Sequence, residues 1–410
     1  MEEPIIVSLD VGTTKICTLI ARVDGNQRVH ILGTGVEPSQ GIKKGIVVDL
    51  NLASCAIRRS IEKAEHISGF EVNAALVSLA GSNVSSVNSK GVVGISGEVI
   101  DEDDVFRALE AARAVAIPHN REIIHVIQRG FNIDGQSGIR TPMGMHGYRL
   151  EVEAHIITAS AAALENLRQC VANAGVDVTQ FVLNPLASAE AVLNETERQM
   201  GVVLCDIGGG TTDLAIYIEG DIWHTAVLSV GGDLITSDIA HGLRLPIPSA
   251  EEIKKQHGHA IQAEMRADEF FSVKSFGEEK PTQVSRADLA YIIEARMEEI
   301  CALVLKEIKR SNYDGLLPAG IVFCGGASAM PGLRTLANRV FDLPARIAQP
   351  EGMSGMVDKI QGPSYAASIG LVRWALLMNE YLAQPERRRT RKPQGERLSK
   401  VRDIIKLLLP

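Results

Sequence analysis

No run of about 18 apolar residues occurs in the 410-residue chain, so no helix is expected to span a bilayer. Cysteine is sparse and scattered: the six residues at 17, 55, 170, 205, 301 and 324 form no CxxC or other ligand spacing. Their mostly apolar surroundings read as reduced, buried and cytosolic. The ten histidines are equally dispersed, and His257 and His259, though close, have no further ligands nearby to make a metal site. The opening MEEPIIV is acidic and soon turns strand-like, so no secretory signal is expected. What remains is a globular composition, 45% hydrophobic and 22% charged, long enough for two to four compact units.

The net charge of −8 hides an asymmetry. Residues 387–410 carry nine Lys/Arg and two Asp/Glu, or +7, which leaves −15 on the preceding 386 residues. An acidic body argues against nucleic-acid binding and draws attention to the basic tail.

The most informative stretch is CDIGGGTTD, Cys205 to Asp213, between the apolar runs VVL (202–204) and LAIYI (214–218). Three glycines allow a tight reversal and leave backbone N–H groups free to face phosphate oxygens. Asp206 and Asp213 would repel bare phosphate but suit a phosphate-bound Mg²⁺. Rossmann and Walker loops run from strand into helix, whereas this one runs from strand into strand. An ordinary hairpin would need only two turn residues.

The opening residues echo this pattern. IIVSLD (5–10), the turn VGTTK and ICTLIARV (16–23) repeat strand, turn and strand. Aligning Thr13-Thr14 with Thr211-Thr212 gives an offset of 198 residues, pairs Gly33 with Gly231, and matches Asp10 to Asp206 if the second turn holds two extra glycines. Helical and strand patterns follow in each half: helix 49–68, strand 74–80, helix 160–174, strand 176–183 and helix 186–198, against helix 232–243, strand 320–324, helix 331–341, strand 345–349 and helix 364–378. The expectation is an α/β fold of two duplicated βββαβαβα lobes that clamp a ligand between their turns.

The first lobe is assigned to 1–80 and 160–200, with 364–383 packing near it, and the second to 201–243 and 320–383. Residues 81–159 read as an inserted α+β subdomain and 244–319 as a mostly helical one. Residues 384–396 form a charged, flexible linker. In 397–410 the residues Leu398, Val401, Ile404, Ile405, Leu408 and Leu409 share one helical face, with Arg402 and Lys406 on the polar side. Such a basic amphipathic helix suits an anionic membrane surface better than a partner groove or its own body.

The hairpins and a third glycine element, CGGASAMPG (324–332), are expected to assemble a nucleotide site. Asp10 and Asp206 would hold Mg²⁺ through waters, and Lys15 would offset phosphate charge. The nucleotide-binding residues are Gly12, Thr13, Thr14 and Lys15 and Gly208, Gly209, Gly210, Thr211, Thr212 and Asp213, with Gly231 and Gly232 beyond the third strand; backbone N–H groups and threonine hydroxyls of the turns would hold the phosphates. Gly325, Gly326 and Ala327 would admit a base or ribose.

These elements, in this order, resemble the actin-like ATPase superfamily. SLDVGTTK, VLCDIGGGTTDLAIY, GGDLITSDIAHGL, AEEIKKQHG, RADLAYIIEAR, FCGGASAMPGL, PSYAASIGL and the terminal helix are closest to the FtsA family of bacterial cell-division proteins, over nearly the entire chain. The resemblance implies ATP and Mg²⁺ binding with slow hydrolysis at most, and self-assembly into actin-like filaments. It also implies tethering of the FtsZ ring to the cytoplasmic face of the membrane at the division septum, and docking of later division proteins on the inserted subdomain. It places Glu251 and Lys254 on the adenosine side. Arg286, Arg296 and Glu299 become contacts for the FtsZ C-terminal peptide. Asn184 stands where actin-like enzymes place a residue that orients the attacking water. The alternatives are a PilM-like pilus-assembly adaptor and a small-molecule kinase on the same fold.

Overall fold

Runs of β-branched and aliphatic residues draw the start of the chain into three strands. In the computed structural model, which describes residues 4–383 apart from 25–27, 116, 279 and 357–359, these are β1 (Ile5–Val11), β2 (Lys15–Val23) and β3 (Val29–Pro38). The linker 384–396 and the membrane residues of 397–410 lie outside the described residues. A short ladder, β4 (Ile42–Lys43) with β5 (Ile46–Val47), leads to α1 (Leu50–Ser68) and β6 (Ala74–Leu79). Asp49 caps the start of α1, and Gly69 ends it in the left-handed region at φ 74°. α1 lies directly on β3, where a Cβ on Gly35 would stand 1.8 Å from the Ser60 carbonyl oxygen.

The first insertion comprises β7 (Val84–Gly94), α2 (Glu102–Arg113), β8 (Arg121–Ile133), β9 (Gln136–Ile139) and β10 (Arg149–Ser160). Its strands form an antiparallel sheet in the order β7-β10-β8-β9, with Ala108, Leu109 and Ala112 of α2 buried against it. The chain returns through α3 (Ala161–Asn173), β11 (Asp177–Leu183), α4 (Asn184–Val192) and α5 (Glu195–Met200). The one helix expected over 186–198 is therefore two. Leu193 is extended, and Asn194 opens a capping box with Glu197 that restarts the helix.

The second half begins with β12 (Val202–Ile207), β13 (Thr212–Ile218), β14 (Asp221–Leu228) and α6 (Gly232–Leu243). Its insertion holds α7 (Ile247–His257), a hairpin of β15 (Phe270–Val273) and β16 (Thr282–Ser285), and the long α8 (Arg286–Ser311). β17 (Ile321–Cys324), α9 (Leu333–Phe341), β18 (Ala345–Ile347), β19 (Met353–Gly355) and α10 (Ala366–Ala383) complete it.

The two main sheets share one topology, β11-β6-β1-β2-β3 in one and β18-β17-β12-β13-β14 in the other. In both, two antiparallel hairpin pairings are followed by two parallel ones. β19 breaks the symmetry: residues 353–355, expected in the second lobe, pair in parallel with β3 at the edge of the first sheet. The closing helices also cross over, α10 onto β1, β2 and β6, and α4 onto β12 and β13. Leu186, Ala187, Ile369, Val372 and Trp374 lie buried between the lobes, so the two sheets share a core.

The inserted subdomain is seated on both lobes. Toward the first, His125 Nε2 accepts from the Leu183 N–H at 3.1 Å, and its ring meets Trp374 edge-on at 5.4 Å. Toward the second, Thr225 Oγ1 lies 2.9 Å from His155 Nε2, Ser86 Oγ donates to the Thr225 carbonyl at 2.9 Å, and the Arg129 guanidinium lies 4.0 Å over Trp223. Burial pushes both His125 and His155 down to about 3, with nearby His224 and Arg129 adding to the effect at His155. An unfolded histidine titrates near 6.5, so below that pH the unfolded chain binds more protons and stability falls. The contribution is complete above about pH 6.5 and fades toward about pH 3, with about 2 kcal/mol per ring already lost at about pH 5. Raised carboxylates such as Asp206 and Asp221 gain stability over the same interval, so the histidine share is read by difference. In urea unfolding at about pH 7.5 and about pH 5, His155→Gln should lose less on acidification than its parent, by one ring's share.

Candidate functional site

Each lobe presents a hairpin turn to the other. Gly12 N–H donates to the Lys15 carbonyl at 3.0 Å, and Gly208 N–H donates to the Thr211 carbonyl at 2.9 Å. β1 pairs Asp10 with Cys17, and β12 pairs Asp206 with Asp213. The turns are thus equal in length and correspond at an offset of 206 − 10 = 196 residues, with no extra glycines. This corrects the 198-residue alignment: Thr13 and Thr14 stand where Gly209 and Gly210 do, and Cys17 stands where Asp213 does. The equation of Gly33 with Gly231 also fails, because Gly33 pairs with Ile20 within a sheet while Gly231 precedes the first turn of α6. Repeated Thr-Thr pairs drew the alignment out of register.

The two turns differ in their residues and fit because they touch. A Cβ on Gly209 would come within 2.8 Å of the Thr14 side chain, and one on Gly210 within 2.6 Å of Thr13 Oγ1. Glycine on one side makes room for threonine on the other. Around them lies a cleft of about 1010 Å³. It is lined by Asp10, Gly12, Thr13, Thr14, Lys15, Asp206, Gly208, Gly209, Gly210, Thr211, Asp213, Gly232, Glu251, Lys254, Gly325, Gly326 and Ala327. Two expected members stand behind it. Thr212 is buried and donates to the Val230 carbonyl at 2.9 Å, and Gly231 packs against the carbonyls of Gly208 and Gly209. The cleft also takes in Asp233, Thr236, Lys255 and the segment Gln361–Ser364, which no glycine motif announces.

The two aspartates are held in matching ways from the crossing helices. Ser368 Oγ on α10 donates to Asp10 Oδ2 at 2.7 Å, and Ser188 Oγ on α4 donates to Asp206 Oδ2 at 2.6 Å. Ser78 Oγ adds a bond to Asp10 Oδ1 at 3.0 Å. Thr211 Oγ1 donates to Asp213 Oδ2 at 2.9 Å, while Asp213 Oδ1 is buried without a partner. Burial, reinforced by the Asp10 charge, lifts Asp206 to about 6. Burial and the Asp206 charge push Asp213 well above the carboxylate range. Three buried carboxylates meet here, one from the first turn and two from the second. The latter two resist ionisation, so their charged forms call for a cation. Hard oxygen donors of this kind fit Mg²⁺. Among the described residues no three acidic, histidine or cysteine side chains come together closely enough to ligate a metal directly.

Opposite the turns, Glu251 receives a hydrogen bond from Thr236 Oγ1 at 2.5 Å and ion pairs from Lys254 and Lys255 at 2.5 and 3.0 Å. Burial alone would raise its pKa, but the bonds from Lys254 and Thr236 bring it below the usual range. Lys254 Nζ also donates to the Gly232 carbonyl at 3.1 Å, tying α7 to the start of α6. Gly325, at φ 86°, has no room for a side chain, since a Cβ would stand 2.2 Å from Asp206 Oδ1. Asn184 is the first residue of α4 and lines the cleft, and its amide oxygen is buried without a partner.

The peptide-contact candidates lie elsewhere, along α8. Arg296 forks onto Asp238 of α6 at 2.5 and 3.0 Å and pairs with Glu299 at 2.5 Å. Arg286, three turns away, pairs with Glu269 at 2.9 Å and donates to the His257 carbonyl at 2.9 Å. The structure brings Arg296 and Glu299 together but not Arg286.

Duplicated lobes, crossed closing helices and facing glycine turns around buried aspartates define an actin-like ATPase fold. Solved structures agree: a PilM-PilN type IV pilus biogenesis complex matches with a TM-score of 0.63 at 17% identity, over 89% of this chain and 97% of that one. MreB5 of Spiroplasma citri bound to ADP matches at 0.59 and 15% identity, over 94% and 100%. The family model for cell division protein FtsA matches residues 203–370, and that for the SHS2 domain inserted in FtsA matches 81–158. Cell division protein FtsA of Pseudomonas aeruginosa is 41% identical over 90% of this chain and 89% of its own length. Those of Bacillus subtilis and Escherichia coli K12 are 38% and 36% identical, over 90% and 91% of this chain and 83% and 90% of theirs. The chain belongs to the FtsA family of cell-division proteins.

Proposed function

We propose that this chain binds ATP with Mg²⁺ between its lobes, polymerises into actin-like filaments, and tethers the FtsZ ring to the cytoplasmic face of the cell membrane. The observation that carries the nucleotide reading is the pair of equal-length hairpins presenting buried Asp10 and Asp206 across one cleft. Backbone N–H groups and threonine hydroxyls of the turns would hold phosphates. The two aspartates would orient the waters of a Mg²⁺ that offsets phosphate charge. Asn184, with its free amide oxygen, would orient a water at the same cleft.

No helix among the described residues is long and apolar enough to cross a membrane. Attachment would come from 397–410. Each basic residue near an anionic leaflet contributes about 1 kcal/mol, and a short helix with six inserted aliphatics makes a reversible anchor. A filament carrying many such tails makes every later contact intramolecular, so ATP-dependent assembly would turn weak binding into firm attachment. The FtsZ peptide would meet Arg286, Arg296 and Glu299, exchanging their internal ion pairs for its own, and later division proteins would use 81–159.

Deleting 397–410 should abolish co-sedimentation with anionic liposomes and leave ATP binding unchanged. A truncated protein that still pellets with the liposomes would place the anchor elsewhere. The likeness to PilM shows the fold alone, and rapid phosphoryl transfer to a metabolite would favour the kinase reading instead.

A further inference from the structure

Of the three lysines that line the cleft among the described residues, Lys254 and Lys255 are ion-paired with Glu251. Lys15 is held differently. Its ammonium stands 3.6 Å over the centroid of the Tyr365 ring and donates to the Ser364 carbonyl. Both partners are neutral, so they fix the ammonium in place without cancelling its charge. Asp10 and Asp206 line the same cleft, and a flexible four-carbon stem freed from the ring would let the ammonium swing onto a carboxylate.

Tyr365 is well placed to prevent that. It closes the turn Pro363–Tyr365 that leads into α10, and the Pro363 carbonyl accepts from Gly325 N–H at 2.9 Å. The ring is thus anchored to the third glycine element and to the helix that supplies Ser368 to Asp10. Resting on the nucleotide-binding reading above, we propose that Tyr365 is the positioning residue for Lys15, keeping its ammonium unpaired so that the cleft favours a nucleoside triphosphate over a diphosphate. An uncommitted cation gains most from the ligand that brings more negative charge. Paired with a carboxylate, it would offer little to either.

The test is a double-mutant cycle read by ATP and ADP affinities in Mg²⁺. Tyr365→Phe keeps the π-face and should stay within about twofold of the parent for both nucleotides. Tyr365→Leu should weaken ATP by about tenfold and ADP by no more than about twofold. In a Lys15→Gln background the added Tyr365→Leu should change nothing further. Equal losses for ATP and ADP, or an undiminished effect in Lys15→Gln, would overturn the proposal. Should Tyr365→Leu not fold, the unaltered protein still decides. After reductive ¹³C-methylation the Lys15 signal, identified by its loss in Lys15→Gln, should lie upfield under the ring and move when ATP binds. A Lys15 signal without that ring shift overturns the latch. A parent protein that binds neither nucleotide overturns the nucleotide reading and the latch with it.

Discussion

Replacing Gly370 by alanine should lower the melting temperature sharply, although alanine is the better helix former by about 1 kcal/mol. Gly370 lies inside α10 where that helix crosses α4. A Cβ there would stand 1.8 Å from the Ala187 carbonyl oxygen and 3.1 Å from Ser188 N. The obstacle is backbone, which cannot swing aside as a side chain would. Relief requires the helices to separate and the shared core of Leu186, Ile369 and Trp374 to loosen. Overpacking of this kind costs about 1–3 kcal/mol, and Gly370→Val should exceed it. The damage would not stop at stability. Ser188 follows Ala187 and Ser368 precedes Gly370 by two residues, so a shifted crossing misaligns the hydroxyls that hold Asp206 and Asp10. Thermal melts with and without Mg²⁺ and ATP should therefore show both a lower baseline and a smaller ligand-induced rise. A Gly370→Ala protein as stable as its parent would mean that the helices can part cheaply.

The duplicated lobes were legible because their signals are local. Strand periodicity, glycine turns and helical patterns each sit within a few residues, and the chain repeats them in order. Pairing between distant segments was not legible. β19 is three residues long, and nothing in Met353–Gly355 says that its partner is Val29–Ile31. The β15–β16 hairpin is similarly short, four residues a strand, and too brief for alternation to stand out. The break in 186–198 was readable in retrospect from Asn194 and Glu197, a capping box masked by the apolar run before it. At the site, the glycines and aspartates could be named from spacing. Ser188, Ser368 and Tyr365 could not, since serines on two helices and a tyrosine in the turn before one of them acquire meaning only when those helices cross between the lobes.

Asp206→Asn should raise the stability of the nucleotide-free protein at neutral pH and nearly abolish Mg²⁺-dependent nucleotide binding. The two effects have one origin. Burial, helped by the Asp10 charge, raises the Asp206 carboxyl to about 6 from an ordinary 3.8, so the folded protein holds this proton more tightly than the unfolded chain does. Stability from this group is therefore greatest below about pH 4, declines as pH rises to about 6, and is then lower by a constant amount of about 3 kcal/mol. Asparagine carries no charge to bury, and its carbonyl oxygen still accepts from Ser188 Oγ, now 2.6 Å from Asp206 Oδ2. A gain of about 2 kcal/mol at about pH 7.5 is expected, fading toward about pH 4 where the parent aspartate is protonated. The same missing charge should weaken nucleotide binding in Mg²⁺ by about a hundredfold, because an amide neither attracts the cation nor orders its waters as a carboxylate does. Melting curves across this pH range, paired with nucleotide titrations in Mg²⁺ and in EDTA, separate the two effects. A variant that loses stability along with binding would show Asp206 to be structural. One that gains stability and loses binding marks a charge kept in the cleft at the expense of the fold, as expected of a site that completes itself only when a cation arrives.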